Sequence, residues 1–270
     1  MKDIVPELLE AIEQDFKKRY DASLKIQRIA KLIDTGKATY AEANDYAIEV
    51  GEILAAVFKD HISADILPDG RMYYNIAERI LNPTLKNNHD LISTAAAQTQ
   101  TALNRASKIG VKGIQAPLNQ DRIDGLIEKL TEEPEFEKVA WVLDEPVINF
   151  SQSIIDDTAE LNAEFQHKSG LRPTVTRKVV ADCCDWCREL AGEYTYPDVP
   201  KDIYRRHRFC RCTIEYDPRD GRPKRNAITK KDLASKEDME ARKALYLKEL
   251  EDQRKESERR KKERIAKAQE

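Results

Sequence analysis

All five cysteines of this chain, Cys183, Cys184, Cys187, Cys210 and Cys212, lie between positions 183 and 212, and no other of its 270 residues is cysteine. Thiols serving as small core residues would be scattered along the apolar pattern. Here they form two knots, C-C-x-x-C and H-x-x-C-x-C, the second opened by His207. Clustered thiols pair as disulfides in oxidising compartments and bind metal in reducing ones. The N-terminal stretch MKDIVPELLEAIEQ is acidic and amphipathic, without an apolar leader core, and no apolar run approaches a membrane span. The expectation is a protein made in a reducing cytosol, with a soft metal, zinc above all, held by the cluster. A disulfide and idle thiols in a metal-free module are the alternatives.

Zinc takes four tetrahedral ligands and prefers thiolate and imidazole. Cys184-x2-Cys187 has the spacing that brings two thiolates from one tight turn to one ion. Cys210-x-Cys212 has strand spacing, in which residues i and i+2 share a face. His207 offers an imidazole. The preferred set is Cys184, Cys187, Cys212 and one of Cys210 or His207, with Cys183 as a spectator. A thioredoxin-like redox role for C-D-W-C needs a βαβ context that the preceding sequence lacks.

Before the knots the chain reads as helix. Residues 3–33 carry apolar residues at helical spacing, from Val5 and Leu8 through Ile12, Phe16 and Tyr20, and read as one long helix. Thr39 opens another with Glu42 three residues on, a capping box, and its apolar face is Tyr46, Val50, Ile53, Leu54 and Val57. Leu67-Pro68-Asp69-Gly70 is a turn. Arg71 to Leu81 reads as a short helix stopped at Asn82-Pro83. Leu85 to Ile109 is helical and rich in Ala, Gln and Thr, a face suited to close packing inside the molecule or to a partner. Further helices follow over 119–130, 134–144 and 146–168, closed by Ser169-Gly170.

The period then changes. Pro173 to Ala181 is β-branched and reads as a strand, with two more over 193–196 and 211–216 and a helical turn at Arg188–Ala191. The predicted architecture is mainly α: a multi-helix body over 1–170, a small α+β cysteine-rich module over 171–218, and a linker and long charged helix over 219–270. A module so small has a limited core, which a bound metal would reinforce. Net charge divides unevenly, −8 over 1–223 and +5 over 224–270. Acid-before-base pairs four residues apart, such as Glu251–Lys255 and Glu256–Arg260, predict a solvated C-terminal helix. Leu245, Leu247 and Leu250 are its main apolar cluster, and Arg259, Arg260, Lys261 and Lys262 are its best candidate contact for DNA.

Several chemistries have no motif here. The chain lacks G-x-x-x-x-G-K-[ST], G-x-G-x-x-G and H-E-x-x-H. None of His61, His89, His167 or His207 begins the H-x-E of the zinc deaminases. The first three read as surface or boundary residues. A row of Arg205, Arg206, Arg208 and Arg211 beside His207 gives one rival to a structural role, a metal-dependent nuclease, and the charged tail after Pro223 gives another, a non-catalytic nucleic-acid-binding module.

The pattern Asp182-x-Cys184-x2-Cys187, then Leu190-x-Gly192, then His207-x2-Cys210-Arg211-Cys212 and the strand Thr213–Tyr216 resembles the minor head (head morphogenesis) proteins of tailed bacteriophages, related to the F protein of phage Mu. The match spans about 40 residues. Arg208 stands where family members commonly carry proline, and Cys183 is an extra cysteine. The resemblance implies a structural, non-enzymatic protein of the virion, present in few copies at the portal vertex or capsid interior after assembly in the host cytoplasm. Its partners would be the portal protein or the major capsid protein, with its tail near packaged DNA, and it would act in head assembly, DNA packaging or release.

Overall fold

Ser23 divides what the periodicity predicts as one N-terminal helix. Helix α1 spans Val5–Ala22 and α2 spans Leu24–Asp34. Ser23 between them is extended, and its side chain accepts from Ile26 N at 3.2 Å, capping α2. A serine hydroxyl offers the backbone an alternative to the helical bond, which is how a chain breaks inside an apolar pattern that runs on unchanged. The structure, a computed structural model, describes residues 3–181, 183–218 and 236–268.

Helix α3, Tyr40–His61, starts with the expected capping box: Thr39 Oγ1 accepts from Ala41 N, and Thr39 N donates to Glu42 Oε2 at 2.8 Å. Tyr46, Val50, Leu54 and Val57 are buried as the pattern requires. Helix α4 then runs from Tyr74 to Ala106 straight through Pro83, where an interruption is predicted. A proline inside a helix costs about 3 kcal/mol. Ile80, Leu81 and Leu85 around it have no exposed surface, so packing outweighs that local preference. Helices α5 (Gln120–Thr131), the short α6 (Phe136–Val139) and α7 (Glu145–Lys168) complete the body.

The Ala/Gln/Thr face of α4 is used within the molecule. Gln100 accepts from Tyr40 OH (2.6 Å) and donates to Asn104 Oδ1 (2.7 Å), which also accepts from Gln166 of α7 (2.8 Å). Asn162 pairs with both backbone groups of Ile114 at 2.8 Å. The small residues let backbones approach: a Cβ on Gly51 of α3 would lie 2.8 Å from Ser151 Oγ and 3.0 Å from Ile148 Cα of α7.

Strand β1 (Thr174–Lys178) is the centre of an antiparallel sheet, flanked by β2 (Gly192–Thr195) and β3 (Thr213–Asp217), with the five-residue helix α8 (Asp185–Glu189) between β1 and β2. Val175 stands opposite Tyr194 on one side and Tyr216 on the other. Val175, Tyr196, Ile203, Tyr204, Ile214 and Tyr216 belong to the same apolar cluster as α1, α3, α4 and α7. Tyr40 of α3 meets Tyr216 edge to face, ring centres 6.1 Å apart. The division at residue 170 therefore separates kinds of secondary structure, while one core runs across it.

Helix α9 spans Lys236–Ala268. Of the predicted leucine cluster only Leu250 packs against the body, while Leu245 and Leu247 are exposed. Tyr246 is 5% exposed and packs with Val111, Ile114 and Phe165, flanked by Met239 and Leu250. Its hydroxyl donates to Glu164 Oε2 at 3.1 Å. The described residues bear out the predicted class: mainly α, with a small sheet, a cysteine cluster and a long C-terminal helix. Residues 219–235, within the predicted linker and charged helix, lie outside them. No helix among them is long and apolar enough to cross a membrane.

Candidate metal centre

The two cysteine knots are brought together by the sheet and by a single reversed turn. Cys184 caps α8, its Sγ accepting from Cys187 N at 3.5 Å, so one short turn presents both sulfurs on the same side. The second knot arrives from the segment before β3. There Phe209 adopts φ 64°, a left-handed conformation uncommon for a bulky side chain, and Cys210 N donates back to His207 O at 3.2 Å. That turn folds His207 towards Cys184 and Cys187.

His207 Nε2 lies 3.1 Å from Cys187 Sγ and 3.3 Å from Cys184 Sγ. Its Nδ1 is 2.5 Å from the carbonyl of Arg208, which can only accept. Nδ1 therefore carries the proton, and the Nε2 lone pair faces the sulfurs, the tautomer-fixing arrangement of a metal-ligating histidine. Cys187 Sγ is 4.0 Å from Cys210 Sγ. Two groups of ligand atoms lie within 4.8 Å of one another, Cys184–Cys187–His207 and Cys187–Cys210–Cys212, with Cys187 common to both. Cys184 is exposed, whereas Cys187, Cys210 and Cys212 are buried. Cys183 is buried and belongs to neither group. The donor set of thiols and one oriented imidazole can hold a metal ion and suits a soft divalent one.

Burial pushes the Cys187 thiol up to about 12, against the pull of an N–H from Arg177. Cys212 is also raised, again chiefly by burial. A coordinated cation reverses this preference, because metal binding deprotonates the thiol outright.

The arginine row turns inward more than the sequence suggests. Arg206 is buried against Asp156 of α7, with Nη2 on Asp156 Oδ1 at 2.9 Å, and it also donates to Cys212 O (2.7 Å) and Asn44 Oδ1 (3.1 Å). In the orientation its neighbours require, the Gln152 amide donates to Cys210 O and accepts from Arg206, both at 2.9 Å. Arg211 forks onto Glu145 at 3.0 and 2.8 Å. These two arginines fasten the cysteine module to α7. Arg205 pairs with Asp202 at the surface. Arg208 lies over the rings of Trp141 and Phe209, 4.4 and 4.8 Å from their centres.

Arg177 is the residue that sequence reasoning missed. It sits on β1 two positions from buried Val175, on the inward face, and that register was the available signal. The remaining histidines have partners of their own: His61 faces Asp15, His89 is buried with Nε2 on Ala116 O, and His167 stacks near Tyr196. In the tail, Arg259 and Arg260 pair with Glu256, and Lys261 with Asp121 of α5. Much of that positive charge is thus compensated within the chain.

Comparison of the chain with protein-family models, curated proteins and solved structures finds no match in any of the three.

Proposed function

We propose that the cysteine module binds one zinc ion and that the chain is a structural minor head protein of a tailed bacteriophage. The observation that carries the reading is the imidazole of His207, whose free nitrogen faces Cys184 and Cys187 while Arg208 holds the other. It makes one site out of the two halves of the resembling pattern. Zinc would join α8 to the segment entering β3 and fix the module's outer end, while Arg206 and Arg211 hold its inner side on α7. A cross-linked unit of this kind suits a protein that keeps one shape in a large assembly. The helical body would meet the portal protein or the major capsid protein, in the capsid interior or at the portal vertex, after assembly in the host cytoplasm. The tail would lie near packaged DNA.

The test is immunodetection of the chain in purified procapsids and virions, with portal protein as the reference for copy number. A few copies per particle, co-purifying with the portal, is the expected result. Absence from both particles sinks the structural role. Divalent-metal-dependent plasmid cleavage that disappears with His207→Ala replaces it with a nuclease.

A further inference from the structure

Arg177 is only 2% exposed. Its Nη1 donates to the carbonyl of Ile203. Its Nη2 lies 3.6 Å from Cys187 Sγ and 3.7 Å from Cys210 Sγ, and its guanidinium stands 5.4 Å from the centre of the Trp186 ring. No carboxylate among the described residues forms an ion pair with it, whereas its buried neighbour Arg206 has Asp156. A guanidinium does not lose its proton in a protein, and a buried charge without a counter-charge costs several kcal/mol. Neutral thiols, a carbonyl and an aromatic face do not supply that counter-charge. Thiolates do.

We infer that Arg177 is the internal counter-ion of an anionic metal centre in which Cys184, Cys187, Cys210 and His207 bind one divalent cation. This inference rests on the metal-binding reading above and adds its charge, its third thiolate and a positioning residue. The balance is simple. Three thiols give up three protons to solvent, the divalent ion and three thiolates leave one net negative charge, and Arg177 neutralises it inside the protein. Cys210 is the third thiolate because one Nη2 reaches both its sulfur and that of Cys187. Cys212 shares a group with Cys187 and Cys210, but the sulfurs that Arg177 reaches are those of Cys187 and Cys210, so Cys212 is left outside the set. The guanidinium also orients Cys187, the sulfur common to both groups of ligands. A site with only two thiolates would be neutral and leave Arg177 unmatched.

The experiment uses the full chain and two probes, Zn2+ in competition with a chromophoric chelator and Co2+ followed by absorption. Arg177→Lys keeps the charge. Arg177→Gln keeps an N–H for Ile203 but loses the charge. The expected result is Zn2+ affinity within a few-fold of the parent for the lysine variant and about 10–100-fold weaker for the glutamine variant. Equal affinities in the two variants overturn the inference. On the unaltered protein, where folding is not in question, the sulfur-to-Co2+ charge-transfer bands count the thiolates. Three are expected, and two or four overturn the inference while leaving a metal site in place. If the unaltered protein takes up neither ion, the metal-binding reading fails and this one with it.

Discussion

His207 Nε2 approaches Cys187 Sγ to 3.1 Å while the opposite ring nitrogen is held by the carbonyl of Arg208. The two residues come from the two knots, twenty positions apart in the chain. His207→Ala is expected to weaken Zn2+ binding by more than about 100-fold, beyond what the loss of an outer-shell contact costs. Helical content should be unchanged, because the body does not use this ring. Competition titration with circular dichroism on the same samples checks both. Unchanged affinity would mean that the ring is only packing against the sulfurs.

Arg206 and Asp156 form a pair with side chains 4% and 1% exposed. Removing one member of a buried pair strands the other, at a cost of about 3–5 kcal/mol. Asp156→Ala should lower unfolding stability by that amount in urea titration. A loss under about 1 kcal/mol would show that water enters and solvates the arginine. Because this pair joins the module to α7, the transition should stay a single one.

Gly51→Ala tests the approach of α3 to α7. On an exposed helix the change would stabilise by roughly 0.5–1 kcal/mol. Here the new methyl meets Ser151 Oγ at 2.8 Å and the Ile148 backbone at 3.0 Å. A destabilisation of about 1–3 kcal/mol is expected instead, as in other overpacked cores. The sign alone, read from the melting temperature, decides.

Acidic residues of α7 give a pH dependence. Burial raises Asp157 to about 6, with Arg122, His89 and Arg206 opposing and Asp156 adding to the rise. Burial and the neighbouring Glu164, Asp157 and Asp156 raise Glu160 to about 7. Both folded values exceed the unfolded ones, so the folded state binds more protons between about pH 4 and 7. The destabilisation these groups cause is absent below that window, grows as pH rises through it and is complete above it. Glu160→Gln should therefore raise stability at pH 8, by on the order of 1–2 kcal/mol, and have no effect near pH 4. Urea titrations at the two pH values provide the check.

Tyr246 is the main apolar tie of α9 to the body, packed on Phe165 with ring centres 5.8 Å apart. Tyr246→Ala should expose α9 to limited proteolysis within residues 236–262 and leave the melting temperature of the body within a few degrees. Protection equal to that of the parent would assign the docking to contacts such as Lys261 with Asp121.

The sequence made some of this legible and hid the rest for identifiable reasons. Helical periodicity located the body, and the Thr39–Glu42 box marked the start of α3 to the residue. It missed the break at Ser23 because the apolar pattern continues across it, and it stopped a helix at Pro83 because propensity carries no knowledge of buried Ile80 and Leu85. The ligand types were legible because cysteine clustering is local. The supporting residues Arg177, Asp156 and Glu145 were not, since their roles depend on which face of β1 and α7 meets the module. Leu245 and Leu247 outrank Tyr246 in hydropathy, yet Tyr246 faces Phe165 and they face water.

The most direct test of the central claim is native mass spectrometry of the full chain purified without chelator, with thiol titration on the same sample. A single bound zinc ion per chain, with Cys184, Cys187 and Cys210 protected until chelator is added, is the result expected. A metal-free chain whose thiols react at once, and which takes up no zinc when it is supplied, would contradict the account.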